Sequence, residues 1–275
     1  MHNLFYMKRL CLGLALMLSI SQLFAAKVDT VEVYSAAMKK KIKTVVISPE
    51  KKSVAPVPTL YLLHGYSGNY SNWVLSAPYI KNLVDQYNYM VICPDGGFRS
   101  WYWDIPRDTD YQYETFVSKE LVSYVEQNYP VCKDRHGRAI TGLSMGGHGA
   151  LYLAIRHQDV YGAAGSTAGG VDIRPFPNNW EMAKRLGPYK DNKEAWDSHT
   201  VMELLHLIEP NSLKLFIDCG TDDFFYAVNQ ELHRKLTYLN IPHAFVSMPG
   251  KHNWEYWSQS ILLQMAFFDN YFRMQ

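Results

Sequence analysis

Cysteine is scarce: four residues among 275, with no C-x-x-C pair and no metal-ligand spacing. That pattern excludes a disulfide-stapled scaffold and a structural zinc site. Charge of one sign is lacking too. Lys+Arg number 27 against Asp+Glu 26, a net charge of +1, and no charged block is present. Neither nucleic acid nor an anionic membrane is called for as a partner. Internal repeats and low-complexity linkers are missing, so one domain is expected rather than two. With 48% hydrophobic residues, the chain can bury a core, which excludes intrinsic disorder.

Long hydrophobic runs are confined to the N-terminus, where Lys8 and Arg9 precede Leu10–Ile20 and the small residues Ala25 and Ala26 follow. A basic start, a short apolar stretch and a small-residue cleavage site predict a secretory signal peptide over residues 1–26. The run is too short for a comfortable membrane span. The expectation is an exported chain, periplasmic or secreted, beginning near Ala26 or Lys27, with no stable membrane insertion after cleavage. Cys93, Cys132 and Cys219 then remain, and buried thiols at strand ends are favoured over a bridge. Composition and pattern do not specify the oligomeric state.

What is there is an alternation of short apolar runs with helical patterns, the mark of βαβ units around a mostly parallel sheet. Strands are predicted at 28–34, 43–47, 59–63, 89–93, 139–141, 213–219 and 244–248, with Lys39 to Lys43 marking the first turn. Helices are predicted over 113–127, 147–154, 227–239 and 257–272. The segment 171–200, with Pro175, Pro177, Gly187, Pro188, Trp180 and Trp196, breaks the rhythm. A loop-rich insertion of that length is usually functional, and it is expected to act as a cap.

Gly142-Leu-Ser-Met-Gly146 matches G-x-S-x-G and lies between a predicted strand and a predicted helix. Strand, tight turn and helix make a nucleophile elbow, with Ser144 at its tip. A serine hydroxyl needs a base and an orienting acid, which in this architecture follow in the order acid, then histidine. His252 sits in Pro249-Gly-Lys-His-Asn-Trp254, directly after the last strand, and is the expected base. His148 lies on the elbow helix and cannot fold back to its own serine; His243 is the reserve. The acid is Asp222 or Asp223, adjacent after the strand ending at Cys219, and residue chemistry does not choose between them. Asp218, inside that strand, is expected to be structural. An oxyanion would be held by the N–H groups of Met145 and of Tyr66, in the loop His64-Gly-Tyr-Ser-Gly68. Trp101, Trp103 and Trp254 lie close enough in sequence to these motifs to be candidate substrate contacts. No metal or organic cofactor is required.

Leu62-Leu-His-Gly-Tyr-Ser-Gly68, Pro94-Asp-Gly-Gly97, Ser100-Trp-Tyr102, Gly142-Leu-Ser-Met-Gly-Gly147, Cys219-Gly-Thr-Asp-Asp223 and Gly250-Lys-His252 together resemble the esterase D-like family. That family includes S-formylglutathione hydrolases, tributyrin esterases, feruloyl esterase domains and mycolyltransferases. The resemblance implies an α/β-hydrolase fold with helices on both faces of the sheet and cofactor-free ester hydrolysis. Its Gly-x-x-Asp pattern falls on Gly220 to Asp223 and selects Asp223. Together with the expected export, it implies a serine esterase acting on short-chain acyl esters or on feruloyl or acetyl esters of plant polysaccharide. Alternatives are acyl transfer to a sugar or lipid alcohol, S-formylglutathione hydrolysis (which export argues against) and, more remotely, a non-catalytic carbohydrate-binding protein.

Overall fold

A computed structural model describes residues 26–275 except 52 and 54. Residues 1–25 of the expected signal peptide, with Cys11, lie outside the described residues. Eight strands form one sheet in the order β1-β2-β4-β3-β5-β6-β7-β8. The antiparallel edge is β1 (Lys27–Ser35) on β2 (Lys40–Ser48), with β2 antiparallel to β4 (Met90–Pro94). The remaining strands, β3 (Thr59–Leu63), β5 (Arg138–Gly142), β6 (Ala163–Thr167), β7 (Lys214–Gly220) and β8 (His243–Met248), continue from β4 in parallel. The first turn is Ala36 to Lys39; Lys40 to Lys43 are already in β2, because their alternation places Ile42 inward and leaves Lys41 and Lys43 in solvent.

Buried strands show the two-faced logic of a parallel sheet. In β3, Tyr61 and Leu63 enter one core layer while Leu60 and Leu62 enter the other. The first layer is covered by the elbow helix α4 (Met145–Arg156) and by α3, which runs through Tyr113–Thr115, a π-turn at Phe116–Glu120, and Leu121–Asn128. The second is covered by α1 (Asn72–Ser76), α2 (Ile80–Tyr87) and the C-terminal helix α9 (Trp254–Arg273). Short helices α5 (Ala183–Leu186), α6 (Lys193–Ser198) and α7 (Val201–Leu204) precede β7, and α8 (Tyr226–Tyr238) links β7 to β8.

β6 is an addition to the strands read from sequence. Ala163-Ala-Gly-Ser-Thr167 has no aromatic and little branched character, so it carries no strand signal. Its smallness has a packing cause: a Cβ at Gly165 would lie 2.3 Å from Gln264 Oε1 on α9. Cys93, Cys132 and Cys219 are free thiols; Cys93 and Cys219 are buried at the ends of β4 and β7 as expected, but Cys132 lies outside the strands and is only half-buried. Among the described residues, no helix is long and apolar enough to cross a membrane.

Candidate active site

β5 delivers the chain to the elbow, and α4 begins one residue after Ser144. Ser144 has φ 55° and ψ −117°, a conformation that costs a non-glycine residue on the order of 1–3 kcal/mol. The surroundings enforce it. Ser144 N–H donates to the Thr167 carbonyl at the end of β6, 2.9 Å away. A Cβ on Gly146 would stand 2.6 Å from the carbonyl oxygens of Leu63 and His64, backbone that cannot yield. The helix start therefore presses against the end of β3, as a sharp strand-to-helix bend requires.

The loop after β8 brings His252 to this tip. Its Nε2 is 2.8 Å from Ser144 Oγ and its Nδ1 is 2.7 Å from Asp223 Oδ2. Neutral imidazole with the proton on Nδ1 satisfies both contacts, donating to the carboxylate and accepting from the hydroxyl. Asp223 is held in turn: its other oxygen accepts from Phe225 N–H at 2.8 Å, and its side chain is shielded from solvent. Three rings fix the imidazole plane, Phe224 at 4.2 Å, Trp257 perpendicular at 5.0 Å and Phe225 at 5.5 Å between centroids. Asp222 is exposed and faces a separate polar hollow with Lys251 and Glu255.

The N–H groups of Tyr66 and Met145 have no backbone acceptor among the described residues. Both residues belong to segments that flank Ser144: Met145 opens α4, and Tyr66 lines the same cleft as the hydroxyl. His64 braces the Tyr66 loop. Its Nε2 accepts from Gly96 N–H at 2.7 Å, so its Nδ1–H donates to the Gly65 carbonyl at 2.8 Å. His148, on the inner face of the elbow helix, is buried and bonded to Trp103 Nε1 and the Gly170 carbonyl, each at 2.9 Å. Burial lowers its pKa to about 3. Asp218 is likewise buried away from the imidazole. Desolvation raises its carboxyl to about 6, against hydrogen bonds that include those from Gln264 and Thr167.

A cleft of about 340 Å³ opens over Ser144, walled by Tyr66, Trp180, Phe224, Trp254 and Trp257 with Asn72 and Leu143. Trp254 is where the sequence placed it. Trp101 and Trp103 are not: they are 1% and 0% exposed and belong to the core layer around His148, with Trp180 lying over Trp101. Left-handed backbone at Trp101 and Tyr102 turns the segment inward. Trp257 was legible in part. Three residues after Trp254, it shares that residue's helical face once α9 is seen to begin at Trp254 rather than Trp257. The 171–200 segment is less a lid than a wall. It supplies Trp180 to the cleft and buries Ile173, Met182, Leu186 and Trp196 in the core. Among the described residues, no cluster of three or more His, Cys, Asp or Glu is placed to share a metal ion.

Residues 35–268 match the model of the Esterase family, described as "Putative esterase". The chain belongs to this family. The esterase is a carboxylic ester hydrolase with an α/β serine hydrolase fold. It is similar to an acetyl esterase of Caldicellulosiruptor saccharolyticus, 29% identical over 258 residues, which are 83% of this chain and 92% of that one. An S-formylglutathione hydrolase of Bos taurus is 27% identical over 234 residues, 78% of this chain and 81% of that one. A solved ferulic acid esterase is 27% identical with a TM-score of 0.78, covering 90% of this esterase and 99% of its own chain.

Proposed function

We propose that the esterase is an exported serine hydrolase in which Ser144 is the nucleophile, His252 the general base and Asp223 the orienting acid. The observation that carries this reading is the continuous relay from Ser144 Oγ through both imidazole nitrogens to a shielded carboxylate. His252 Nε2 takes the hydroxyl proton as Oγ attacks the ester carbonyl, and the new imidazolium is held by Asp223. The N–H groups of Tyr66 and Met145 receive the negative oxygen, each contributing on the order of 3 kcal/mol to the barrier reduction. His252 then protonates the departing alkoxide and activates the water that releases the acid. Ser144→Ala is expected to fold normally and to lower turnover of p-nitrophenyl acetate by at least about a thousandfold. Turnover that survives the change rejects the assignment.

The preferred substrate is an ester bearing a planar aromatic group, as in feruloyl decoration of plant polysaccharide. Five rings bordering one cleft favour stacking on a flat partner over a bare acetyl group, and similarity to a ferulic acid esterase supports the choice. Comparing kcat/KM for methyl ferulate and p-nitrophenyl acetate tests this: a strong bias to acetate discards the aromatic substrate. Export rests on Lys8 and Arg9 ahead of Leu10–Ile20 and on Ala25 and Ala26. Recovery of full-length protein, uncleaved and in the cytoplasm of a bacterial host, would reject it.

A further inference from the structure

Among the residues lining the cleft, only Trp180 comes from the 171–200 segment. Its backbone is unusual. Trp180 and Glu181 both sit in the left-handed region, at φ 50° and 56°, where a Cβ crowds the neighbouring carbonyl. Two such residues in succession persist only where contacts hold them from outside. The ring is held by Trp101, Phe176, Phe224 and Phe225, with centroids 5.2 to 5.9 Å away.

The backbone is held through Glu181. Its carboxylate pairs with Arg99 and with Lys184, and its carbonyl accepts from Arg185 Nη1 at 3.4 Å. Arg99 is itself fixed. Its Nε donates to Tyr111 Oη at 3.2 Å, and the guanidinium of Arg185 lies over the same tyrosine ring at 4.1 Å. Arg99 follows Phe98, whose ring meets Tyr66 edge-on at 5.1 Å. Tyr66 and Trp180 both line the cleft. The Arg99–Glu181 pair therefore ties the segment that supports one wall to the segment that carries another. Both side chains are partly exposed, so the pair adds little to global stability. Its removal leaves the fold standing and acts on the local position of the Trp180 bend.

We infer that Trp180 selects planar aromatic esters, and that the Arg99–Glu181 ion pair is a positioning clasp that holds its ring in the cleft. The inference rests on the reading of this cleft as the ester-binding site. Without the clasp, the bend at Trp180 and Glu181 relaxes toward ordinary backbone and the stacking wall recedes, while Ser144, His252 and Asp223, held by other contacts, stay in place.

The test is steady-state kinetics of the mature enzyme on methyl ferulate and p-nitrophenyl acetate. Arg99→Ala and Glu181→Gln are each expected to lower the ferulate-to-acetate ratio of kcat/KM about fivefold, through KM for ferulate and not kcat. Acetate kinetics should stay within about twofold in these variants, and Arg99→Lys, which keeps the charge, should recover most of the ratio. Trp180→Leu is expected to lower the ratio at least as far as Arg99→Ala does. An unchanged ratio in Trp180→Leu overturns the selectivity role, and an unchanged ratio in both clasp variants overturns the clasp. Equal losses on both esters would mean a general structural role and overturn it as well, as would a wild type that cleaves acetate but not ferulate. If the wild type cleaves neither ester and a fluorophosphonate leaves Ser144 unlabelled, the functional reading itself has failed. Should Arg99→Ala not fold, the nearly isosteric Glu181→Gln decides.

Discussion

Two adjacent aspartates at the end of β7 show how sharply one residue position separates roles. Asp223 turns inward, gives one oxygen to His252 and the other to its own loop. Asp222 is exposed to solvent. Their chemistry is identical, which is why residue type could not choose between them and why a family pattern was needed. Asp223→Asn should lower kcat by about a thousandfold or more, because an amide can present its N–H₂ to Nδ1 and favour the wrong tautomer. Asp222→Asn should stay within about twofold of wild type, since no proton or orientation depends on it. Equal damage from both changes would mean that the loop, and not one carboxylate, is what matters. The tryptophans teach the complementary point. Trp101, Trp103 and Trp254 are all near site motifs in sequence, yet backbone handedness turns the first pair into the core. Facing is a property of φ and ψ, which composition near a motif does not reveal.

At the scale of elements, legibility followed side-chain character. β3, β4 and β7 announce themselves through branched and aromatic runs, and G-x-S-x-G with its flanking strand and helix located the elbow. β6 is invisible by that criterion because its job is to be thin. It lies between β5 and β7, where α9 approaches so closely that Gln264 reaches through to Thr141, Thr167 and Asp218. Its last residue also anchors Ser144 through the Thr167 carbonyl, so a strand without sequence signal holds Ser144 in its strained pose. Gly165→Val should therefore destabilise by about 2–3 kcal/mol, since its Cβ would meet Gln264 Oε1 at 2.3 Å and Thr141 Oγ1 at 2.6 Å. Urea unfolding would register this as a lower midpoint with the slope unchanged. A midpoint equal to wild type would show that α9 can shift without cost.

For the whole molecule, the sheet separates two core layers, and each contains a buried titratable group that the relay to Ser144 does not include. His148 belongs to the layer under α4, and Asp218 is bonded to Gln264 on α9 in the other. The sequence placed both outside the chemistry, but their effect on stability depends on burial, which only the folded chain reveals. Their signs oppose. Burial lowers His148 to about 3, so its contribution is present above the unfolded value near 6.5 and is lost as pH falls toward 3. Desolvation raises Asp218 to about 6, so its contribution is full below the unfolded value near 3.8 and is lost as pH rises through 6. Between pH 7.5 and 4.5 the histidine removes about 2–3 kcal/mol of stability while the aspartate returns about 2, and the two nearly offset. Asp218→Asn keeps an oxygen for Gln264 and Thr167 but abolishes the returning half. Its Tm should fall between pH 7.5 and 4.5 by several degrees more than that of wild type. His148→Gln, which can still accept from Trp103 and donate to the Gly170 carbonyl, should show a smaller fall than wild type over the same interval. If both variants track the wild-type curve, neither buried group titrates differently in the folded and unfolded chains, and the acid response of the esterase comes from its other titratable groups, Glu114 and His199 among them.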